Sequence, residues 1–174
     1  LPHAMQSGKT YNIEMVSGIA NNGDITSLTY DPFSLRSEAL HVNQIGYVPD
    51  AGLKIGYVAE WMGDGGGLTL TDYAGSPFHI VDSISGAIVH SGTLAIRKLL
   101  TDSQVDNGNM SLFGPSNNYY GSDVLEADFS TVNTTGTYYL VAERFGRSFP
   151  FEIEENIYRK PFQMTTKFLY INRA

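Results

Sequence analysis

Gly136-Thr137-Tyr138-Tyr139-Leu140-Val141 is the stretch on which the fold turns. It opens on a glycine, it is rich in aromatic and β-branched residues, and Tyr138 and Leu140 alternate with Tyr139 and Val141. A period of two sends successive side chains to opposite faces of a strand, one buried and one wet. The same period recurs on both sides. Upstream, Leu125, Ala127 and Phe129 share one face, with Glu126 and Asp128 on the other. Downstream, past Gly146, Phe149, Phe151 and Ile153 alternate with Ser148, Pro150 and Glu152. Nearer the start, Leu40 and Val42 alternate with His41 and Asn43, and Ile55, Tyr57 and Ala59 with Lys54, Gly56 and Val58. Leu68 and Leu70 alternate with threonines. Residues 78–82 and 87–90 flank the turn-like Ile84-Ser85-Gly86. Tyr11, Ile13 and Met15 precede Asn22-Gly23, a hairpin dipeptide because both residues tolerate positive φ, and residues 25–30 supply a return strand. Several short strands separated by turns predict an all-β sandwich or barrel.

The texture changes after Glu154. Met164, Phe168 and Ile171 sit at i, i+4 and i+7, the spacing of one helix face. Pro161 is tolerated only in a first helical turn, so the helix is predicted from about Lys160. It reaches the last residue without a stop signal, which reads as the severed start of a second domain. The chain thus divides into an N-terminal extension with a hairpin (1–38), a β-sandwich (39–154), and a linker with the first helix of a further domain (155–174). Residues 101–121, rich in Asn, Ser and Gly, are predicted as an extended loop or an insertion.

Bulk properties narrow the function. A chain of 174 residues can bury a core without metals or disulfides. A net charge of −7 repels phosphate, so nucleic acid and anionic membranes are poor partners. No apolar run approaches membrane-spanning length. The absence of cysteine excludes a disulfide framework, a thiol nucleophile and a zinc–thiolate site.

No catalytic, cofactor or metal residue is assigned. His3, His41, His79 and His90 lack metal-ligand spacing and read as solvated strand or loop residues. Gly63-Asp64-Gly65-Gly66-Gly67 is followed by neither Lys-Ser/Thr nor a helix, so it reads as a hairpin tip rather than a phosphate cradle. Asp123, Glu126 and Asp128 are the densest carboxylates and could serve glycosidase chemistry or calcium. Glu126 and Asp128 fall on the solvent face of a strand, where acids ordinarily sit. Trp61, Tyr119 and Tyr120 could stack sugars or simply pack. Asn109-Met110-Ser111 and Asn133-Thr134-Thr135 are formal glycosylation sequons.

The Gly136–Leu140 stretch also reads like the G-x-Y-x-C segment of immunoglobulin-like sandwiches, with Leu140 in the cysteine position. Tyr138 is then either the tyrosine of a corner at the start of strand F or an ordinary half-buried strand tyrosine. Three stretches together resemble one family. His41-Val42-Asn43-Gln44-Ile45-Gly46-Tyr47-Val48-Pro49, followed by Lys54, is similar to the opening motif of the N-terminal immunoglobulin-like domain of family 9 glycoside hydrolases, the cellulase-type enzymes. Its motif residues are Val42, Asn43, Gln44, Gly46, Tyr47 and Pro49. Residues 123–130 and 136–140 resemble that domain's later strands. Phe151-Glu152-Ile153, Tyr158-Arg159 and residues 168–173 resemble the join into the first helix of a catalytic α/α barrel. The resemblance spans about 39–174, and residues 1–38 show none. Pro161 in the helix and the length of 101–121 depart from the family pattern.

This resemblance implies a non-catalytic accessory domain that packs against and stabilises a barrel hydrolysing β-glucans, or alternatively an independent carbohydrate-binding module. The barrel's D-A-G-D aspartates would activate water and a later glutamate would protonate the leaving oxygen, giving inversion. Here Asp50-Ala51-Gly52 is followed by Leu53 in a turn, so no catalytic residue carries over and no cofactor is implied. The implied partner is the parent's own catalytic domain, met through Tyr158, Met164, Phe168, Leu169 and Ile171, with polysaccharide reached through that domain. Left uncovered, that helix invites self-association. A secreted, periplasmic or cell-surface location is implied likewise. An exposed aromatic row on one sheet face would distinguish the carbohydrate-binding alternative.

Overall fold

The computed structural model describes residues 5–16, 18, 25–102 and 120–173. Eleven strands are named among them: β1 (Thr10–Glu14), β2 (Ile25–Thr29), β3 (Leu40–His41), β4 (Ile55–Val58), β5 (Pro77–Asp82), β6 (Ile88–Thr93), β7 (Ala95–Lys98), β8 (Val124–Asp128), β9 (Gly136–Ala142), β10 (Gly146–Arg147) and β11 (Phe151–Ile153). One helix, α1 (Arg159–Ile171), follows. β1 and β2 form their own antiparallel ribbon, the predicted N-terminal hairpin; its Asn22-Gly23 tip lies outside the described residues. One sheet runs β3-β4-β8-β7 and the other β10-β9-β5-β6, with β11 also on β9. All pairings between these strands are antiparallel, while isolated bridges at Arg36–Arg147 and Tyr47–Ile153 are parallel. Such sheets bury one face and wet the other, and two of them closed over a shared core make a sandwich.

Between the sheets lie Leu40, Val58, Phe78, Ile80, Leu125, Ala127, Phe129, Tyr138, Leu140, Phe151 and Ile153, all buried. The two sheets meet tightly where Gly56 of β4 faces Leu140 of β9. A Cβ on Gly56 would lie 2.6 Å from Leu140 Cδ2, so the leucine occupies the space that a side chain at 56 would need. Leu140 therefore does by volume what an inter-sheet disulfide does by covalent bond in antibody domains. Tyr138 is 2% exposed and its hydroxyl donates to the Thr134 carbonyl at 3.0 Å, four residues upstream. Of the two readings of Tyr138, the corner is the one realised.

Three strand readings need correction. On β4 the buried side is Gly56 and Val58, preceded by Lys54 at 0% exposure, while Ile55 is half-buried and Tyr57 faces out. The more apolar set is thus the wetter one, because Lys54 has buried acceptors to satisfy it. Leu68 and Leu70 form no strand; Leu70 is buried and leads into a 3-10 turn (Thr71–Tyr73). The alternation after Gly146 slips at Pro150. Phe149 is exposed beneath the Arg36 guanidinium, at 4.3 Å, and Ser148 is buried. Proline cannot donate to a ladder, so the edge strand splits into β10 and β11. The Ser148 hydroxyl bridges the gap, accepting the Leu140 amide at 3.0 Å and donating to the Phe149 carbonyl at 2.6 Å.

Residues 30–37 lie along the same edge. Ser37 N–H donates to the Arg147 carbonyl and Arg147 N–H to that of Leu35. The Tyr30 hydroxyl donates to the Glu143 carbonyl at 2.7 Å.

Leu140→Ala is expected to cost about 2–5 kcal/mol, read as a lowered urea midpoint. An unchanged midpoint would show that the β9 face does not fill the sandwich. The buried phenols give a second expectation. Burial raises Tyr30 to about 12 and also raises Tyr47 and Tyr138. In the unfolded chain each ionises near pH ~10, so above that pH the unfolded state releases protons that the folded state keeps. Their contribution is complete below about pH 10 and is lost as pH rises toward 12. Burial lowers Lys54, which acts in the opposite direction up to about pH 10.4. Above about pH 10.4 only the phenols still act, so the urea midpoint should fall between about pH 10.5 and about pH 11.5.

Candidate functional site

The residues of the 41–49 motif converge at one end of the sandwich, where the chain leaves β11 for α1. Asn43 shapes the turn with its amide: Oδ1 accepts the Ile45 N–H at 3.0 Å and Nδ2 donates to the Gly46 carbonyl at 2.8 Å. Gly46 has φ +109°, and a Cβ there would stand 2.5 Å from the Glu152 carbonyl oxygen and 2.7 Å from Ile157 Cγ1. Only glycine lets strand and linker lie across the turn this closely. Tyr47 follows. Its N–H donates to the Glu152 carbonyl at 2.9 Å and its carbonyl accepts the Glu154 N–H at 3.0 Å. Its hydroxyl donates to the Ile55 carbonyl at 2.7 Å and accepts the Asn43 N–H at 3.1 Å. Its ring meets Phe129 and Phe151 edge-on at 5.2 and 5.5 Å. The carbonyl of Pro49 accepts from Lys54 Nζ at 2.8 Å, Val42 packs on the core, and Gln44 is exposed.

The linker is pinned to this turn. Ile157 covers Gly46, and the Tyr158 hydroxyl donates to the Gly46 carbonyl at 3.3 Å. Beyond it, α1 has no buried residue. Met164, Phe168, Leu169 and Ile171 are each about two-thirds exposed. Phe162, at 71%, belongs with them and was missed. It shares a stripe with Thr165 and Leu169 at i+3 and i+7, beside the stripe of Met164, Phe168 and Ile171. Together the two stripes span about half the helix circumference, with Gln163, Lys167 and Tyr170 on the other side. Reading the second stripe in the sequence would have found Phe162.

Among the described residues, the chemistry-bearing side chains do not converge elsewhere. Asp123 is buried and holds the backbone: Oδ2 accepts the Leu70 N–H at 2.9 Å and Oδ1 the Leu100 N–H at 2.8 Å. Glu126 lies on the outer sheet face, 3.7 Å from Arg97. Asp128 caps its own turn, accepting from the Ser130 hydroxyl at 2.6 Å and the Ser130 N–H at 2.8 Å, which hold its carboxyl below the usual range. His79 pairs with Ser91 at 2.8 Å, and His90 lies against Phe78. Asn133 is exposed, and its Oδ1 accepts from Lys54 Nζ at 3.1 Å. Tyr119 and the Asn109 sequon lie outside the described residues.

Residues 36–147 match the family model described as the cellulase N-terminal ig-like domain. Endoglucanase D of Acetivibrio thermocellus is 28% identical over 135 residues, which make up 78% of this chain and 16% of that protein. This chain therefore spans only a small part of the curated relative it matches. Among solved structures, Bacteroides ovatus GH9 superposes with a TM-score of 0.53 at 23% identity, covering 80% of this chain and 20% of that one. That likeness is one of fold. The chain belongs to the family of cellulase N-terminal immunoglobulin-like domains.

Proposed function

We propose that this chain is the non-catalytic immunoglobulin-like module of a glycoside hydrolase that acts on β-glucans outside the cell. Its role is to hold and stabilise the catalytic domain through Tyr158 and α1. The module proper is 39–154, the extension 1–38 lies before it, and 155–174 begins the catalytic domain. The observation that carries this reading is a wide apolar helix face attached to a linker that is itself fixed. Burying each of Phe162, Met164, Phe168, Leu169 and Ile171 would contribute roughly 1.5–3 kcal/mol, and α1 alone collects none of it. A helix this short is marginal in water unless packed. A face two stripes wide suits a groove between neighbouring helices, as a helical barrel provides. The pinned turn at Gly46 would fix the angle at which that helix departs.

Hydrogen exchange tests the reading. In the 174-residue chain at low concentration, amides after Lys160 should exchange rapidly. In the parent enzyme the same amides should be strongly protected. Strong protection in the dilute monomer, or rapid exchange in the parent, would overturn it. The chain alone should also release no reducing ends from a soluble β-glucan, and turnover that survived repurification and was lost in Asp128→Asn would refute the non-catalytic assignment.

A further inference from the structure

The outer face of the β3-β4-β8-β7 sheet, with the segments just past β4 and just before β8, carries a series of rings that the core does not use. Tyr57 on β4 and His41 on β3 are cross-strand partners, and both face outward. His41 meets Tyr120 edge-on with ring centroids 6.2 Å apart, and its Nε2 lies 2.9 Å from the Ala59 carbonyl oxygen. Past Ala59, Trp61 is 57% exposed beside Gly121, the residue after Tyr120. Tyr57 and Tyr120 are 36% and 45% exposed. Polar groups edge the row: Glu126 is the β8 partner of Tyr57 and faces the Arg97 guanidinium. A groove of about 390 Å³, lined by His41, Val42, Asn43, Leu53, Ile55 and Tyr57 among others, prolongs it.

We infer that this face binds a β-linked glucan chain, with Tyr57, Tyr120 and Trp61 as stacking platforms and Glu126 and Arg97 as hydroxyl partners. A ring face is the negative pole of an aromatic quadrupole and attracts polarised C–H groups. A β-1,4-glucan keeps its hydroxyls equatorial, so both faces of each sugar present C–H groups, and its chain is an extended ribbon that can follow a row. An α-1,4-glucan coils and cannot. Carboxylate and guanidinium supply an acceptor and donors for equatorial hydroxyls. The interleaved charges separate this face from the α1 stripes, which hold none, and the chain's net −7 disfavours a polyanion. The row also runs away from the linker. The Ile55 carbonyl holds Tyr47 at that end, and Trp61 stands six residues further on. Only the groove reaches back to Asn43 and Tyr47 of the linker turn, so the rings and not the groove carry the inference.

Titration of this chain with cellohexaose and with maltohexaose tests it, followed by NMR shifts or calorimetry. Saturable binding of cellohexaose alone is expected. Tyr57→Ala and Trp61→Ala should each weaken it about tenfold at an unchanged melting temperature, while Trp61→Phe keeps most of it. If Trp61→Ala lowers the melting temperature, Tyr57→Ala and Tyr120→Ala decide instead. Absent binding, equal binding of maltohexaose, or binding indifferent to loss of the rings would overturn the proposal.

Discussion

The phenol of Tyr47 is held by both of its hydroxyl's hydrogen-bonding roles and by its ring. The oxygen takes the Asn43 amide and gives its proton to the Ile55 carbonyl, which closes the connection between β3 and β4. The ring lies between Phe129, just past β8 in one sheet, and Phe151 of β11 in the other. Aromatic pairs of this kind add about 0.5–1.5 kcal/mol each beyond their buried area. The residue's backbone meanwhile pairs on both sides with the segment entering the linker. One side chain thus fixes the turn to the sheets, and one peptide unit fixes the linker to the turn. Removing the hydroxyl would take a partner from the Asn43 amide and from the Ile55 carbonyl, both at the partly buried end of the sandwich.

Lys54 completes the arrangement in an unusual way. Its ammonium is fully buried yet, among the described residues, has no carboxylate in hydrogen-bond reach; its partners are the carbonyls of Pro49 and Ala51 and the side-chain oxygen of Asn133. Three donors meet three acceptors, so none of its hydrogen-bonding capacity is wasted. Burial disfavours the charge, and the more distant Asp50 and Asp128 favour it. The amine adds to the ties between the β3–β4 connection and the β8–β9 loop, which the Lys54 backbone also makes to Phe129 and Ser130. It also explains why a lysine is part of the motif along with Asn43, Gly46 and Tyr47.

Most of this architecture was legible from local pattern. The period of two located β5, β6, β8 and β9, and the glycine before Tyr138 marked the corner. The helix register was right because Pro161 can stand only near a helix start. The failures share a cause: each turns on a hydrogen-bond partner that hydropathy does not register, and for Lys54 and Asp123 one such partner is far away in sequence. Hydropathy alone put Lys54 on the wet side, since nothing near it announces that Pro49, Ala51 and Asn133 will surround it. Asp123 looked like a candidate acid because its duty is to amides at Leu70 and Leu100, one of them 53 residues distant. The phase slip at Pro150 was visible in the proline itself, but the compensating role of Ser148 was not. Trp61 and Tyr120 were legible as candidate stacking residues, but Tyr57 was not, because only strand pairing sets it beside His41, which in turn meets Tyr120.

The divided strand at residues 146–153 has a further bearing. An open sheet edge offers unpaired N–H and C=O groups to any passing strand, and a long flat one invites fibrous or edge-to-edge assembly. Here the partner of β9 is two residues, a gap, and three residues, with a proline in the gap. The segment before β3 is laid along the first of these pieces through Ser37 and Leu35. No continuous ladder of more than a few residues remains on that side for a neighbouring copy to extend. The interruption that spoils the alternation therefore guards this edge against aggregation.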